Sequence, residues 1–315
     1  MTLATALGER ALVLDGGLST ELERRGYDIS GQLWSARLLH DAPGAIVDAH
    51  AAFLRAGADV ITTASYQATP EGFARAGFQP ADGVALLRRS VVLARRAQAQ
   101  EAARAQAEAA APGNWVAGSV GPFGAMLANG SEYTGDYGDD VDLARLRTFH
   151  RPRLEILAAA GVDVLAVETI PAMLEAEALV TELAALGHPS WLSLTTTVGA
   201  DGVVRTRRGE PAEAAFALAR NIDSIIAVGV NCIEPEGVLA AIEVAARASG
   251  KPVVAYPNSG EHWDAAARDW TGSAPAGFDE STLNRWLTAG ARLIGGCCRV
   301  GPAEIFDVAC FVAAT

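Results

Sequence analysis

Three cysteines carry the most pointed chemistry in this chain. Cys232 closes the motif Gly229-Val-Asn-Cys232, and Cys297 with Cys298 closes Gly295-Gly-Cys-Cys298. Each motif ends an apolar run. Three thiolates with one position left open are the pattern of a catalytic zinc ion. Neighbouring residues in a regular strand point to opposite faces. Cys297 and Cys298 therefore reach one ion only if the backbone leaves strand geometry there, and Gly295 and Gly296 are expected to supply that freedom. The plainer alternative makes Cys232 a small buried apolar residue and the other two an incidental pair. Cys310, in the last helical stretch, reads as core.

A second constellation is acidic. Asp15 follows Ala11–Leu14 and precedes Gly16-Gly17, and Glu168 ends Asp163–Glu168. A carboxylate after a buried strand is costly unless it is used or paired. Two such groups at one barrel mouth suit a ligand ammonium. The alternatives are N-capping by Asp15 and a structural ion pair for Glu168. Thr62, Thr63 and Ser65 are candidates to bond a ligand carboxylate, and Asn231 and Asn258 join the candidate set. The loop from Gly121 to Tyr137 is too long and glycine-rich for a mere connector. In it Tyr133 and Tyr137 alternate with Glu132 and Asp136, and aromatic faces with carboxylates stabilise a cation; an ordinary surface loop is the alternative. The five histidines show no paired spacing and read as structural or surface residues. No dinucleotide or phosphate-loop glycine motif, nucleophile elbow or H-E-x-x-H is present.

These residues need a scaffold that gathers strand ends. Eight apolar or β-branched runs qualify as strands: Ala11–Leu14, Ala58–Thr63, Trp115–Val120, Val162–Glu168, Trp191–Thr197, Ser224–Cys232, Pro252–Tyr256 and Arg292–Cys297. Helical periods lie between most of them, as in Ile46, Val47, His50, Phe53 and Leu54, or Val238, Ile242 and Ala245. Val84–Ala111 reads as one long helix. Gly57, Gly161 and Gly290 each stand where a helix end requires a left-handed residue. Helix-to-strand loops are thus short and strand-to-helix loops long, which suits an α/β, single (β/α)8 TIM-type barrel with its site at the C-terminal face. An open doubly wound sheet is the alternative. No linker stands out, so residues 1–315 are expected to form one domain.

The chain has 315 residues, 50% hydrophobic and 20% charged, with a formal net charge of −12. That excludes disorder and disfavours nucleic acid or an anionic membrane, which need clustered Lys and Arg. No apolar run is long enough to span a bilayer. Glu9 and Arg10 behind a short apolar start argue against a signal peptide, and four cysteines in such a chain do not make a disulfide scaffold. A cytoplasmic address is expected.

Taken together, Leu14–Gly17, Ile61–Gln67, Gly118–Pro122, Glu168-Thr169, Gly229–Cys232 and Gly295–Cys298 resemble the homocysteine S-methyltransferase family over nearly the whole chain. Ser131–Tyr137, His150-Arg-Pro152 and Tyr256–Glu261 are most similar to its short enzymes that use S-methylmethionine. Thr169 and Gln67 stand where the betaine-dependent members carry tyrosines. The chain is too short for the cobalamin and folate modules of the large methionine synthases. The resemblance implies Zn2+ held by Cys232, Cys297 and Cys298, with the open position taking the homocysteine thiol. It implies that Asp15 and Glu168 hold the homocysteine amino group, with Thr63 beside the amino acid and Asn231 among the substrate-binding residues. Tyr133 and Tyr137 are the expected donor-binding residues. The implied partners are homocysteine and a sulfonium methyl donor, S-methylmethionine or S-adenosylmethionine. A different zinc barrel enzyme, such as a hydrolase, and a non-catalytic zinc-stabilised barrel remain as alternatives.

Overall fold

The computed structural model describes residues 1–29, 33–107, 115–264, 269–271 and 278–315. Its centre is a ring of eight parallel strands: β1 (Leu12–Val13), β2 (Val60–Thr62), β3 (Trp115–Val120), β4 (Val164–Ile170), β5 (Ser190–Leu194), β6 (Ile225–Asn231), β7 (Val253–Tyr256) and β8 (Ala291–Ile294). Successive strands are neighbours, and β8 pairs with β1. The last seam closes through one bridge, Leu14 to Val60. Two backbone bonds flank it, Asp15 N–H to Val60 C=O (3.0 Å) and Asp59 N–H to Val13 C=O (2.8 Å). Closure of that seam makes the sheet a barrel and removes the open-sheet alternative.

Every strand falls within or against a run read from the sequence. The boundaries differ at the ends that matter. β8 stops at Ile294, three residues before Cys297, and β6 stops one residue before Cys232. β5 stops at Leu194, and Thr196–Val198 instead pairs antiparallel with Val204–Thr206 as a hairpin. A second hairpin joins His262–Asp264 to Asp269–Thr271.

Period-two alternation builds two cores. Leu12, Leu14, Val60, Trp115, Ala117, Val164, Ala166, Trp191, Ala227, Val254, Tyr256 and Leu293 fill the barrel interior. Leu3, Ala6 and Leu7 of the helix Leu3–Glu9 pack into the same cluster, next to the N-terminal ends of the strands. The intervening residues, such as Val13, Ile61, Val116, Leu165 and Val228, face the surrounding helices. Among those helices, Pro43–Arg55 buries Ile46, Val47, His50 and Phe53, and Val238–Ser249 buries Ile242 and Ala245. Gly57, Gly161 and Gly290 take φ of 98°, 88° and 118° at helix ends, as the sequence requires. The long helix spans Pro80–Ala107, and positions 108–111 lie outside the described residues.

Cys310 lies on the last helix, Pro302–Ala314, but is exposed rather than core. Ile305, Val308 and Phe311 form that helix's buried stripe, and position 310 turns away from it.

Candidate metal and amino-acid site

The alternation that fills the barrel also builds its mouth. Positions 12, 60, 115, 164, 191, 227 and 254 point inward. Continuing in steps of two toward the strand ends brings Thr62, Ser119, Glu168, Ser193, Asn231 and Tyr256 into the next layers. That ring is polar, and the structure bonds it together.

Glu168 is buried. Its Oε1 accepts from Ser119 Oγ, and its Oε2 accepts from Tyr256 Oη at 2.9 Å. Trp191 Nε1 donates to the same tyrosine oxygen at 3.1 Å. Burial pushes the Glu168 carboxyl up to about 7 against the pull of those two bonds. Asp15 is buried too. Its Oδ2 accepts from Thr62 N–H at 2.7 Å, and the Thr62 hydroxyl reaches both carboxylate oxygens at 3.1–3.2 Å. Burial holds Asp15 well above the ordinary carboxylate range, and the Glu168 charge adds to the rise. Asp15 caps no helix: Gly17 is the N-cap of Leu18–Arg24. Among the described residues neither carboxylate has a salt-bridge partner. Two buried acids with no protein cation between them could receive a ligand cation.

The other polar candidates are already engaged. The Thr63 hydroxyl accepts Ser119 N–H at 3.0 Å and bonds Ser65 Oγ at 2.7 Å. Asn231 spends its amide on Thr169. Its Oδ1 accepts Thr169 N–H (2.8 Å) and Ser193 Oγ–H (2.7 Å), while Nδ2 donates to Thr169 Oγ1 (2.7 Å). Thr169 has φ of 61°, a costly conformation for a β-branched residue. Asn231 thus clamps a strained backbone position directly after Glu168. Asn258 Oδ1 accepts Cys298 N–H at 3.2 Å.

The three thiols meet. The Sγ atoms of Cys232, Cys297 and Cys298 all lie within 4.8 Å of one another, and no other His, Cys, Asp or Glu trio of that kind occurs among the described residues. Cys232 and Cys297 are joined as a disulfide with Cα atoms 5.6 Å apart, where the sequence suggested free thiols. The converging ends after β6 and β8 bring those sulfurs into bonding range. Cys298 keeps a free thiol 3.9 Å from Cys232 Sγ. Tetrahedral Zn–S bonds of about 2.3 Å place two sulfurs roughly 3.8 Å apart, so the cluster in its reduced form fits such an ion. The trio could hold a metal.

The glycines before the pair serve a different purpose from the one expected. Neither Gly295 nor Gly296 has positive φ. A Cβ on Gly295 would stand 2.6 Å from Asp15 O, and one on Gly296 2.1 Å from Val300 Cγ1. They let Asp15 and the turn after the cysteines approach closely. The left-handed backbone falls instead on Cys232 (φ 51°) and Arg299 (φ 68°).

The loop after β3 carries a short helix, Phe123–Leu127, and a 3-10 turn, Ser131–Tyr133. It separates its two tyrosines. Tyr133 bonds Cys298, whose thiol burial pushes up to about 11. Tyr137 turns to the outer layer, where its ring packs on Phe123 and its hydroxyl donates to Glu175 Oε2 at 2.5 Å. Glu175 Oε1 accepts Phe123 N–H at 2.6 Å and meets His150 Nε2 at 2.8 Å. Arg153 bonds His150 Nδ1 at 2.7 Å and also donates to Gly121 C=O. His150, Arg153 and Glu175 are all fully buried. His150, the first residue of the His150-Arg-Pro152 motif, and Arg153 just after it therefore anchor the loop through Glu175 and Gly121.

Three further residues of the site, Ser119, Tyr256 and Tyr66, stand in segments that carry the family resemblance but are not among the candidate residues read from the sequence. The first two bond Glu168. Tyr66 bonds the Thr169 side chain and lies close to Glu132, Tyr133 and Glu168. Tyr256 ends an inward-facing strand register, so period-two alternation is a signal that could find it. For Tyr66 the signal is its place in the resembling segment Ile61–Gln67.

The chain matches the family model described as homocysteine S-methyltransferase over residues 12–312. The chain belongs to the homocysteine S-methyltransferase family. Homocysteine S-methyltransferase 4 of Zea mays is 45% identical over 305 residues, covering 94% of this chain and 88% of that protein. Selenocysteine methyltransferase of Astragalus bisulcatus is 41% identical, covering 94% and 90%. The crystal structure of the metallated form of the homocysteine methyltransferase MmuM from Escherichia coli superposes with a TM-score of 0.83 at 40% identity, covering 99% of each chain. An oxidised form of the same enzyme superposes with a TM-score of 0.82, covering 96% of each. Membership makes this chain a methyltransferase of the homocysteine class.

Proposed function

We propose that the chain transfers a methyl group from a sulfonium donor, S-methylmethionine foremost, to the thiol of L-homocysteine, giving methionine. One observation carries this reading: three thiols converge at the mouth of a barrel beside two buried, unpaired carboxylates. Cys232, Cys297 and Cys298 would hold Zn2+. When bound, the ion supplies the positive charge that keeps a substrate thiol deprotonated at neutral pH.

The remaining work falls to the protein's own groups. Asp15 and Glu168 receive the homocysteine ammonium, with Thr62, Ser119 and Tyr256 holding the two carboxylates in place. Asn231 and Thr63 fix the strand ends from which those side chains project. Tyr133, bonded to Cys298, stands where the donor must approach the sulfur; Tyr137 supports the loop from beneath. The homocysteine sulfur attacks the methyl carbon in line. A new C–S bond forms, and the old one breaks with its electron pair going to the departing sulfur, which leaves as a neutral thioether. The thiol proton is released to solvent. No general base is required, which suits a site without a histidine dyad. We read residues 1–315 as one domain acting in the cytoplasm. No helix among the described residues is long and apolar enough to cross a membrane.

The test is product formation and metal content together. Reduced, zinc-loaded protein is given homocysteine with S-methylmethionine or S-adenosylmethionine. Methionine formed at one zinc per chain is expected, faster with S-methylmethionine. Selenocysteine is included as an acceptor because a 41% identical relative carries that name. A metal-free preparation with full activity would overturn the zinc assignment. Absence of methionine with every sulfonium would overturn the reading.

A further inference from the structure

The loop after β3 holds a buried charge with no part in the methyl transfer described so far. Glu132 is only 3% exposed, and its Oε2 has no hydrogen-bond partner. Backbone N–H groups of Glu132 itself and of Gly130 reach the carboxylate. Among the described residues no Lys, Arg or His forms an ion pair with it. The other loop acid differs: Asp136 is exposed and lies 3.6 Å from Arg208. Beside Glu132, the Ser131 hydroxyl is also buried without a partner.

The position is built. A Cβ on Gly124 would stand 2.4 Å from Glu132 N, so the short helix Phe123–Leu127 packs directly on this peptide. The surroundings are those of the site: the Glu132 charge is felt at Tyr66, Tyr133 and Cys298. A buried carboxylate with a free oxygen is costly, and a cation arriving there removes much of that cost.

The kind of cation follows from the chemistry. The sulfonium loses its charge as the methyl leaves, so a carboxylate against it would favour the ground state over the transition state. An α-ammonium keeps its charge throughout, and binding it does not oppose the reaction. Glu132 beside an unpartnered Ser131 hydroxyl also matches an α-amino acid head, with one group for its ammonium and one for its carboxylate. Asp15 and Glu168 are already assigned to homocysteine. We infer that Glu132, with Ser131, is the subsite for the amino-acid head of the methyl donor and so selects amino-acid sulfoniums over simple ones. This inference rests on the methyl-transfer reading.

The test compares two donors on zinc-loaded protein: S-methylmethionine, and 3-dimethylsulfoniopropionate, a sulfonium without an amino group. Removing a charge-assisted hydrogen bond from a buried site weakens binding by a factor of about ten or more. Glu132→Gln is therefore expected to raise the S-methylmethionine KM about tenfold or more at nearly constant kcat, the signature of uniform binding. The homocysteine KM, the zinc content and kcat/KM for 3-dimethylsulfoniopropionate should stay at wild-type values. Glu132→Asp, which keeps the charge, should recover part of the KM. An unchanged S-methylmethionine KM, a fall in kcat alone, or an equal loss with both donors would overturn the assignment. If the Gln variant unfolds below assay temperature, the Asp variant carries the same comparison, and equal effects on both donors there overturn it. Inactive wild-type protein would sink the methyl-transfer reading itself. Calorimetric titration of S-methylmethionine into wild-type and variant protein still decides the role of Glu132, and equal affinities refute it.

Discussion

Glu168 answers two opposed demands with one side chain. Burial favours its neutral form, whereas an ammonium ligand requires the anion. Its carboxyl titrates near 7, above the ordinary 4.5. Between those values the folded protein holds a proton that the unfolded chain has released, so stability contributed here falls as pH rises through the window and is lowest above 7. Glu168→Gln removes this penalty. The variant should match wild type in thermal melts below about pH 4.5 and exceed it above pH 7 by on the order of 3 kcal/mol. Its homocysteine affinity should be weaker throughout, and the wild-type affinity should improve as pH rises through 7. An unaltered pH–stability profile in the variant would show that Glu168 does not titrate in this range. The cysteines divide as sharply. Cys232→Ala should lose both metal and activity while the barrel still melts cooperatively, since the two cores do not depend on the trio. Cys310→Ala, on the exposed side of the last helix, should leave metal content unchanged. Atomic absorption on both variants decides this.

At the scale of elements, one buried carboxylate collects two bonds from the loop after β3. Glu175 receives Phe123 N–H and Tyr137 O–H from the loop and faces His150 from the helix Leu143–Ala159. Replacing it leaves Arg153 buried near neutral partners only. Glu175→Ala should cost about 3–5 kcal/mol, as breaking a buried charged network does, and should make the Gly121–Tyr137 segment the first site of proteolytic cleavage. Urea melts and limited proteolysis measure the two effects. This anchoring explains why the loop is only half legible in the sequence. Its length and glycines mark it as special, but two tyrosines four residues apart give no sign that one faces the thiols and the other the helices. The strands read better, because apolar runs bounded by glycine and proline are a local signal. The hairpin of Thr196–Val198 and Val204–Thr206 is short and polar, and its sequence does not stand out from a loop. Gly295 and Gly296 are legible as special positions, yet the reason, close approach by Asp15 and Val300, exists only in three dimensions.

For the whole molecule, the disulfide between Cys232 and Cys297 and a metal at the trio are mutually exclusive. Both would use the same two sulfurs. Zinc added to oxidised protein should leave the melting temperature unchanged, whereas the same addition after reduction should raise it with zinc concentration by mass action. Equal shifts in both preparations would place the metal elsewhere. The barrel's architecture bears on its ligand as well. β1 contributes only two residues, and its join to β2 rests on the single bridge from Leu14 to Val60. Asp15 lies immediately beyond that bridge and crosses it, with its carboxylate on Thr62 of the neighbouring strand. The side chain offered to the amino acid is thus also the stitch across the thinnest join of the ring. An amino acid bound there would act as a mortar: each time it departs, the wall is loosest where the next one must be received.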